Sequence, residues 1–263
     1  MINIVKKLIK NFLSLFNLKL TKLSDFVVLN RSVSELDPLI EDDFKKIYKK
    51  IEKNFGKADP VPAFTVFKAL KYIIDNKIDG DLVECGVYKG RMIAAMIETL
   101  SFYGVKDKKI YLYDTFEGMT HSTESDKHVF ENENKDIKLK KGDNFCDIDE
   151  VKDNLKNFEY DEDKIVFVKG DVMKTLKENN VPNNISLLRL DTDFYDSSLI
   201  ELECLYPKVN MSGFIIYDDY GHWVGQKKAT DEYFEKRKLK PFFVRTSRKE
   251  RLEIKKLLVQ EKS

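Results

Sequence analysis

From Pro62 onward, short apolar runs alternate with amphipathic stretches, a pattern that predicts strands and helices in turn. Strands are predicted over Asp81–Cys85, Lys109–Asp114, Lys164–Lys169, Ile185–Asp191 and Gly213–Asp218, each a β-rich run bounded by turn or polar residues. Helices fall at Phe64–Asn76, Arg91–Tyr103, Asp171–Glu178, Ser197–Tyr206 and Gln226–Lys236. This alternation predicts an α/β fold whose mostly parallel sheet is covered on both faces. The end of the chain differs. Phe242–Thr246 and Arg251–Lys255 flank a short polar turn and read as an antiparallel hairpin added at the sheet edge. The stretch from His121 to Cys146 is polar and aperiodic, and its place after a strand end predicts a lid or binding loop.

The first 20 residues carry Val5, Leu8, Ile9, Phe12, Leu15 and Phe16 at helical spacing. Lys6, Lys7 and Lys10 interrupt any continuous apolar run, which disfavours a signal peptide or a membrane span. The pattern predicts an amphipathic helix docked on the domain or on a second subunit, hence a homo-oligomer. A helix lying on a membrane surface is the alternative. A second helical stretch, Glu41–Lys53, precedes a break at Asp59-Pro60. The expected organisation is a helical extension over residues 1–60 and an α/β domain over 61–263.

Composition narrows the partners. Lys plus Arg number 46 against 45 Asp plus Glu, and without a clustered basic excess the chain is not expected to bind nucleic acid. Three cysteines without a CxxC pair indicate neither a zinc ribbon nor a disulfide framework, and a reducing, cytoplasmic setting is expected.

Three segments carry candidate chemistry. In DLVECGVYKG a strand runs into Gly86 and Gly90 and then a helix, which lets a cofactor approach the backbone; Glu84 at the strand end suits an ammonium group. Cys85 and Thr115, in the first and second strand-to-helix turns, are expected beside that cofactor. Asp114, at the tip of the second strand, is where dinucleotide-type folds grip ribose hydroxyls. The third segment is a pair of acidic clusters: LLRLDTDFYDS supplies Asp191, Asp193 and Asp196, and IIYDDYGHW supplies Asp218 and Asp219. If their strands are neighbours, Asp191, Asp218 and Asp219 converge. Two carboxylates about 4 Å apart repel by roughly 4 kcal/mol at an effective dielectric of 20. A hard divalent cation, Mg²⁺ or Mn²⁺, relieves that repulsion. His222, following the Asp pair, is a candidate for substrate contact or for the base.

Taken in order, GDLVECGVYKG, YDTFEGM, LRLDTDFYDS and IIYDDYGHW resemble the macrocin O-methyltransferase family over about Phe64 to Phe234. The resemblance implies a Rossmann-like class I methyltransferase fold that uses S-adenosylmethionine, with a magnesium ion beside the transfer centre. It implies that Glu84 and Gly86 line the methionine part of the cofactor, that Asp114 binds ribose, and that Asp171 lies near adenine. It further implies that Asp191, Asp218 and Asp219 hold the metal, with Asp191 as general base. Thr192 stands where that family usually carries glycine.

The acceptor is expected to be a hydroxyl of a small-molecule sugar, nucleotide-linked and destined for surface polysaccharide, with an antibiotic glycoside as the alternative. Two readings of other classes compete: an NAD-dependent oxidoreductase on the same fold class, and a non-catalytic methyltransferase-like module serving in assembly. The first lacks a full glycine fingerprint and a Tyr-Lys relay; the intact Asp191, Asp218 and Asp219 argue against the second.

Overall fold

The computed structural model describes residues 40–128, 139–178 and 181–255. The apolar, basic stretch at residues 1–20 lies outside the described residues, as does the middle of the predicted lid, 129–138.

Helix α1, Asp42–Phe55, places Phe44, Ile47, Tyr48 and Ile51 on one face, and all four are buried. Asp42 and Asp43 in its first turn and Lys53 in its last complement the helix dipole. Helix α2, Val61–Asp75, starts between two prolines, where missing amide hydrogens cost nothing; the Asp59 carboxylate accepts the Val61 amide at 3.0 Å.

Five parallel strands follow: β1 (Asp81–Cys85), β2 (Ile110–Asp114), β3 (Ile165–Lys169), β4 (Ile185–Leu190) and β5 (Val209–Tyr217). β6 (Phe243–Arg245) and β7 (Arg251–Ile254) form the expected hairpin, with β7 antiparallel to β5. The sheet order is β3-β2-β1-β4-β5-β7-β6. Helices α1, α2, α3 (Arg91–Phe102) and α4 (Ile148–Leu155) cover one face, against Leu82, Leu112, Leu187 and Ile216. Helices α5 (Val172–Thr175), α6 (Tyr195–Leu205) and α7 (Val224–Lys236) cover the other, against Val83, Tyr113, Leu188 and Ile215. The strand order reverses between β1 and β4, the point where open α/β sheets leave a ligand crevice beyond their carboxyl ends.

Three elements differ from the pattern-based expectation. α4 stands where no element was predicted, although its start was marked: Asp147 caps it by accepting the Glu150 amide at 2.8 Å, and Val151 and Leu155 bury one turn apart. β5 begins at Val209 rather than Gly213, through an irregular segment in which Ser212 has φ 65°. α5 is a single turn, Val172–Thr175, instead of the expected Asp171–Glu178.

Glu201, on α6, is fully buried and accepts the Thr192 hydroxyl at 2.9 Å, while its second oxygen has no partner. Burial pushes its carboxyl up to about 8. In the unfolded chain it ionises near its ordinary 4.5, so the unfolded state releases the proton first as pH rises. Its contribution to stability is therefore complete below about pH 4.5 and is lost as pH rises through about 8. Glu201→Gln removes this titration. Calorimetry from about pH 5 to about pH 8.5 is expected to show a shallower fall in Tm for the variant than for the parent.

Candidate active site

The carboxyl ends of β1 and β4 are drawn together where the chain leaves the sheet. The Asp191 amide donates to the Cys85 carbonyl at 2.9 Å, and the Gly86 amide to that of Tyr113 at 2.9 Å. Gly86 has φ +84°, and a Cβ there would collide with the Asp191 carbonyl, so only glycine fits. Gly90 has a different task. It precedes α3, and a Cβ there would press on Val151 of α4 at 3.2 Å, so its small size serves helix packing.

A cavity of about 520 Å³ opens over these strand ends. Of the residues expected at the site, Gly86, Asp114, Thr115, Asp171, Asp191, Asp219 and His222 line it. Asp114 anchors the glycine turn: one carboxylate oxygen accepts the Val87 and Tyr88 amides at 2.7 and 3.0 Å, and the other the Phe116 amide at 2.7 Å. The oxygen that accepts the Phe116 amide retains acceptor capacity, whereas the other already accepts two amides. Asp171 caps α5 through the Met173 amide at 2.9 Å, and the Thr115 hydroxyl donates to the Gly118 carbonyl at 2.7 Å.

Glu84, Cys85, Gly90 and Asp218 are absent from this cavity's lining. Alternation along β1 accounts for the first two. Cys85 is packed with Val83 on the α5–α7 face. Glu84 sits in register with Arg189 of β4, whose Nη1 donates to it at 2.5 Å. The same nitrogen reaches Asp191 at 2.6 Å, and Nη2 reaches Asp218 at 2.5 Å. Lys249, from the β6–β7 turn, takes the other oxygen of Asp218. Asp218 is thus fully buried between two cations, and Asp193 stands in the carboxylate group instead of it. Oxygens of Asp191, Asp193 and Asp219 all lie within 4.8 Å of one another.

Charge state follows environment. Burial alone would push every one of these carboxyls up. For Asp218, Arg189 and Lys249 overcome it and hold the group below its usual range. For Asp219, Lys249 and hydrogen bonds from its neighbours do the same. Asp191 stays well above the carboxylate range because burial and the charges of Asp218 and Asp219 outweigh Arg189, and Asp193 is raised by burial and by Asp219. One oxygen of Asp219 is buried without a partner, while the other faces His222 Nδ1 at 3.2 Å. An orphaned acceptor among three oxygen donors is what a hard divalent cation satisfies, so the residues present fit such an ion.

The described ends of the predicted lid belong to the site. His128, Leu139 and Asn144 line the cavity, and the Val224 amide donates to the Lys127 carbonyl at 2.8 Å. Asp126, buried, accepts the first amide of α6 at 2.7 Å and the Thr123 amide at 2.6 Å, pinning this segment in place.

Sequence reasoning did not place Arg189, Asp193 or Lys249. Arg189 was visible in principle, since an arginine within LLRLD must meet carboxylates if that strand is central. Lys249 carried no signal, because only the hairpin's return brings it to Asp218. Replacing Arg189 by Met is expected to lower the unfolding free energy by about 3–5 kcal/mol, as the buried acids lose their counter-charge. The deficit should narrow as pH falls and those acids protonate, which urea titrations at neutral and acidic pH will measure.

Comparisons with known proteins agree with this geometry. The macrocin-O-methyltransferase (TylF) family model matches residues 65–245. The chain is 28% identical over 214 residues to demethyldecarbamoylnovobiocin O-methyltransferase of Streptomyces niveus, covering 75% of this chain and 79% of that protein. It is 27% identical over 146 residues to mycinamicin III 3''-O-methyltransferase of Micromonospora griseorubida, covering 54% of this chain and 56% of that one. Its fold matches the structure of the O-methyltransferase NovP with a TM-score of 0.65 at 24% identity, over 74% of this chain and 80% of that one. It also matches the calicheamicin methyltransferase CalS11 at 0.59 and 15% identity, over 90% and 97%. The family match sets aside the oxidoreductase and the non-catalytic module. The chain has a class I methyltransferase fold, transfers methyl groups to oxygen, and belongs to the macrocin O-methyltransferase family.

Proposed function

We propose that this protein is a divalent-cation-dependent, S-adenosylmethionine-dependent O-methyltransferase acting on a hydroxyl of a nucleotide-linked sugar. The observation that carries the cation is the group formed by Asp191, Asp193 and Asp219, with a buried Asp219 oxygen that has no partner. Support for a sugar acceptor comes from the names of relatives, one of which, from Streptomyces olivaceus, specifies a rhamnosyl group on tetracenomycin C. Those same names favour the second reading, an antibiotic glycoside as acceptor. Our reading places the reaction in the cytoplasm, in the supply of surface polysaccharide; Cys85, Cys146 and Cys204 are all free thiols, in keeping with a reducing compartment. No helix among the described residues is long and apolar enough to cross a membrane.

The cavity beside Gly86, Asp114 and Asp171 suits the methyl donor in size and in the polar and acidic side chains it offers. Bound there, S-adenosylmethionine supplies an electrophilic methyl group on a sulfonium centre. A divalent cation held by Asp191, Asp193 and Asp219 supplies Lewis acidity that makes a sugar hydroxyl more acidic. The residues of the chain do the rest. Asp191 takes the hydroxyl proton, and Arg189, bonded to it at 2.6 Å, fixes its direction. His222, held against Asp219, is the second candidate for the base. Much of the catalysis is alignment, which the rigid strand ends provide.

Three outcomes test this reading. Calorimetry is expected to show binding of S-adenosylmethionine or its demethylated product and none of NAD. Methyl transfer to nucleotide sugars should stop on chelation, with Asp219→Asn needing more cation for half-maximal rate; full turnover after exhaustive chelation removes the cation from the mechanism. Asp191→Asn is expected to lose about 10²–10⁴-fold in turnover at saturating cation while still binding the methyl donor. If saturating cation restores the rate, Asp191 is a ligand only, and Asp193→Asn and His222→Gln then locate the base.

A further inference from the structure

A second cavity of about 490 Å³ lies on the other side of Asp191 from the one already described. Tyr88, Asp191, His222 and Lys249 line both and form the partition between them. A group seated in the second cavity therefore reaches Asp191 as well. Phe55, Pro62, Val87 and Met92 give it an apolar wall beside the buried Glu84 and Arg189, and Tyr88 presents an exposed ring at its edge. Tyr88 has φ +48°, a conformation uncommon outside glycine and worth holding only where the surroundings fix it. Here the two amides bonded to Asp114 fix it.

The rim is basic. Lys89, Arg91 and Arg248 line the cavity, and the carboxylate outside the Arg189 network is Asp59, which is turned to the Val61 amide. Lys89 and Arg248 are solvent-exposed and come from different elements, one from the glycine turn and one from the β6–β7 hairpin. The hairpin turn is held in place: the Gly221 amide donates to the Lys249 carbonyl at 2.7 Å, and a Cβ on Gly221 would strike the Arg248 carbonyl. A cavity with an apolar wall, an aromatic edge and exposed cations at its mouth matches a ligand with a neutral ring and an anionic tail.

Building on the reading of the chain as a sugar O-methyltransferase, we infer that this second cavity seats the acceptor as a glycosyl diphosphate, with Lys89 and Arg248 gripping the diphosphate and Tyr88 packing on the sugar. Arg248 is the specificity-determining residue, because its planar guanidinium pairs with phosphate oxygens two at a time. The β6–β7 hairpin is then a substrate-binding element as well as the edge of the sheet.

The test is calorimetry on the full-length protein saturated with S-adenosylhomocysteine and Mg²⁺. The titrants are nucleoside diphosphate sugars, a short-chain lipid-linked glycosyl diphosphate, and the matching neutral methyl glycosides. Diphosphate-bearing ligands are expected to bind at least about tenfold tighter than neutral ones, with affinity that falls as salt rises. Arg248→Ala and Lys89→Ala should each weaken them about tenfold, with Arg248→Lys intermediate and S-adenosylhomocysteine affinity unchanged in all three. The nucleoside and lipid arms identify which carrier the site accepts. Neutral glycosides that bind as tightly as the diphosphates, or variants that leave diphosphate affinity unaltered, overturn the inference. If the parent protein fails to bind S-adenosylhomocysteine at all, it is the methyltransferase reading that falls, and the two failures remain distinct.

Discussion

Everything at the strand ends depends on one buried guanidinium. Arg189 is nearly inaccessible to solvent and reaches Glu84, Asp191 and Asp218 at 2.5–2.6 Å. Three carboxylates gathered this closely at the end of a parallel sheet would repel one another and carry an uncompensated desolvation cost. With a planar cation between them, the group becomes a rigid scaffold. One member, Asp191, is then presented to the cavity, and Glu84 and Asp218 remain behind it as counter-charges. Lys249 completes the arrangement from the far edge of the sheet, so the hairpin and the central strands are joined by charge as well as by the β-ladder.

That arrangement explains why Asp218 and Asp219, adjacent in the chain, differ in role. Asp218 shares the sheet face of Ile216 and points back into the ion network. Asp219 lies past the strand end, where Gln226 accepts its amide at 2.8 Å and His222 faces its carboxylate. The same alternation separates Glu84, on the Arg189 side, from Cys85, which packs toward Glu201. A one-residue step along a strand reverses the side chain, and at this sheet edge it exchanges the ion network for the apolar core or the cavity.

Carboxyls around the site are held in unequal states. Burial pushes Glu84 and Glu250 up to about 7, and the hydroxyls of Thr65 and Thr246 donate to Glu250 at 2.6 and 2.5 Å. Asp218 and Asp219, facing Lys249, stay charged. The site therefore combines Asp219, held ionised, with Asp191, whose carboxyl is raised by burial and by the charges of Asp218 and Asp219.

The sequence by itself determined the sheet, because a strand buried on both faces reads as an apolar run whatever its neighbours are. β1 to β4 stand within a residue of their expected bounds, and the acidic clusters at Asp191 and at Asp218–Asp219 fall at strand ends as the pattern implied. Local chemistry was legible too: Gly86 is required by its positive φ and the backbone beside it, and Asp147 announced α4 to a closer reading. What only the tertiary structure decided is which carboxylates share a space. Asp193 joined the group and Asp218 left it because a guanidinium one strand over and an ammonium from a hairpin some thirty residues on claimed both oxygens of Asp218. Gly90 proved to be a packing residue for the same kind of reason: α4, which it accommodates, is brought there by the fold. Periodicity reports burial along one chain segment, whereas charge pairing between segments depends on register and side-chain reach, which exist only once the sheet has closed.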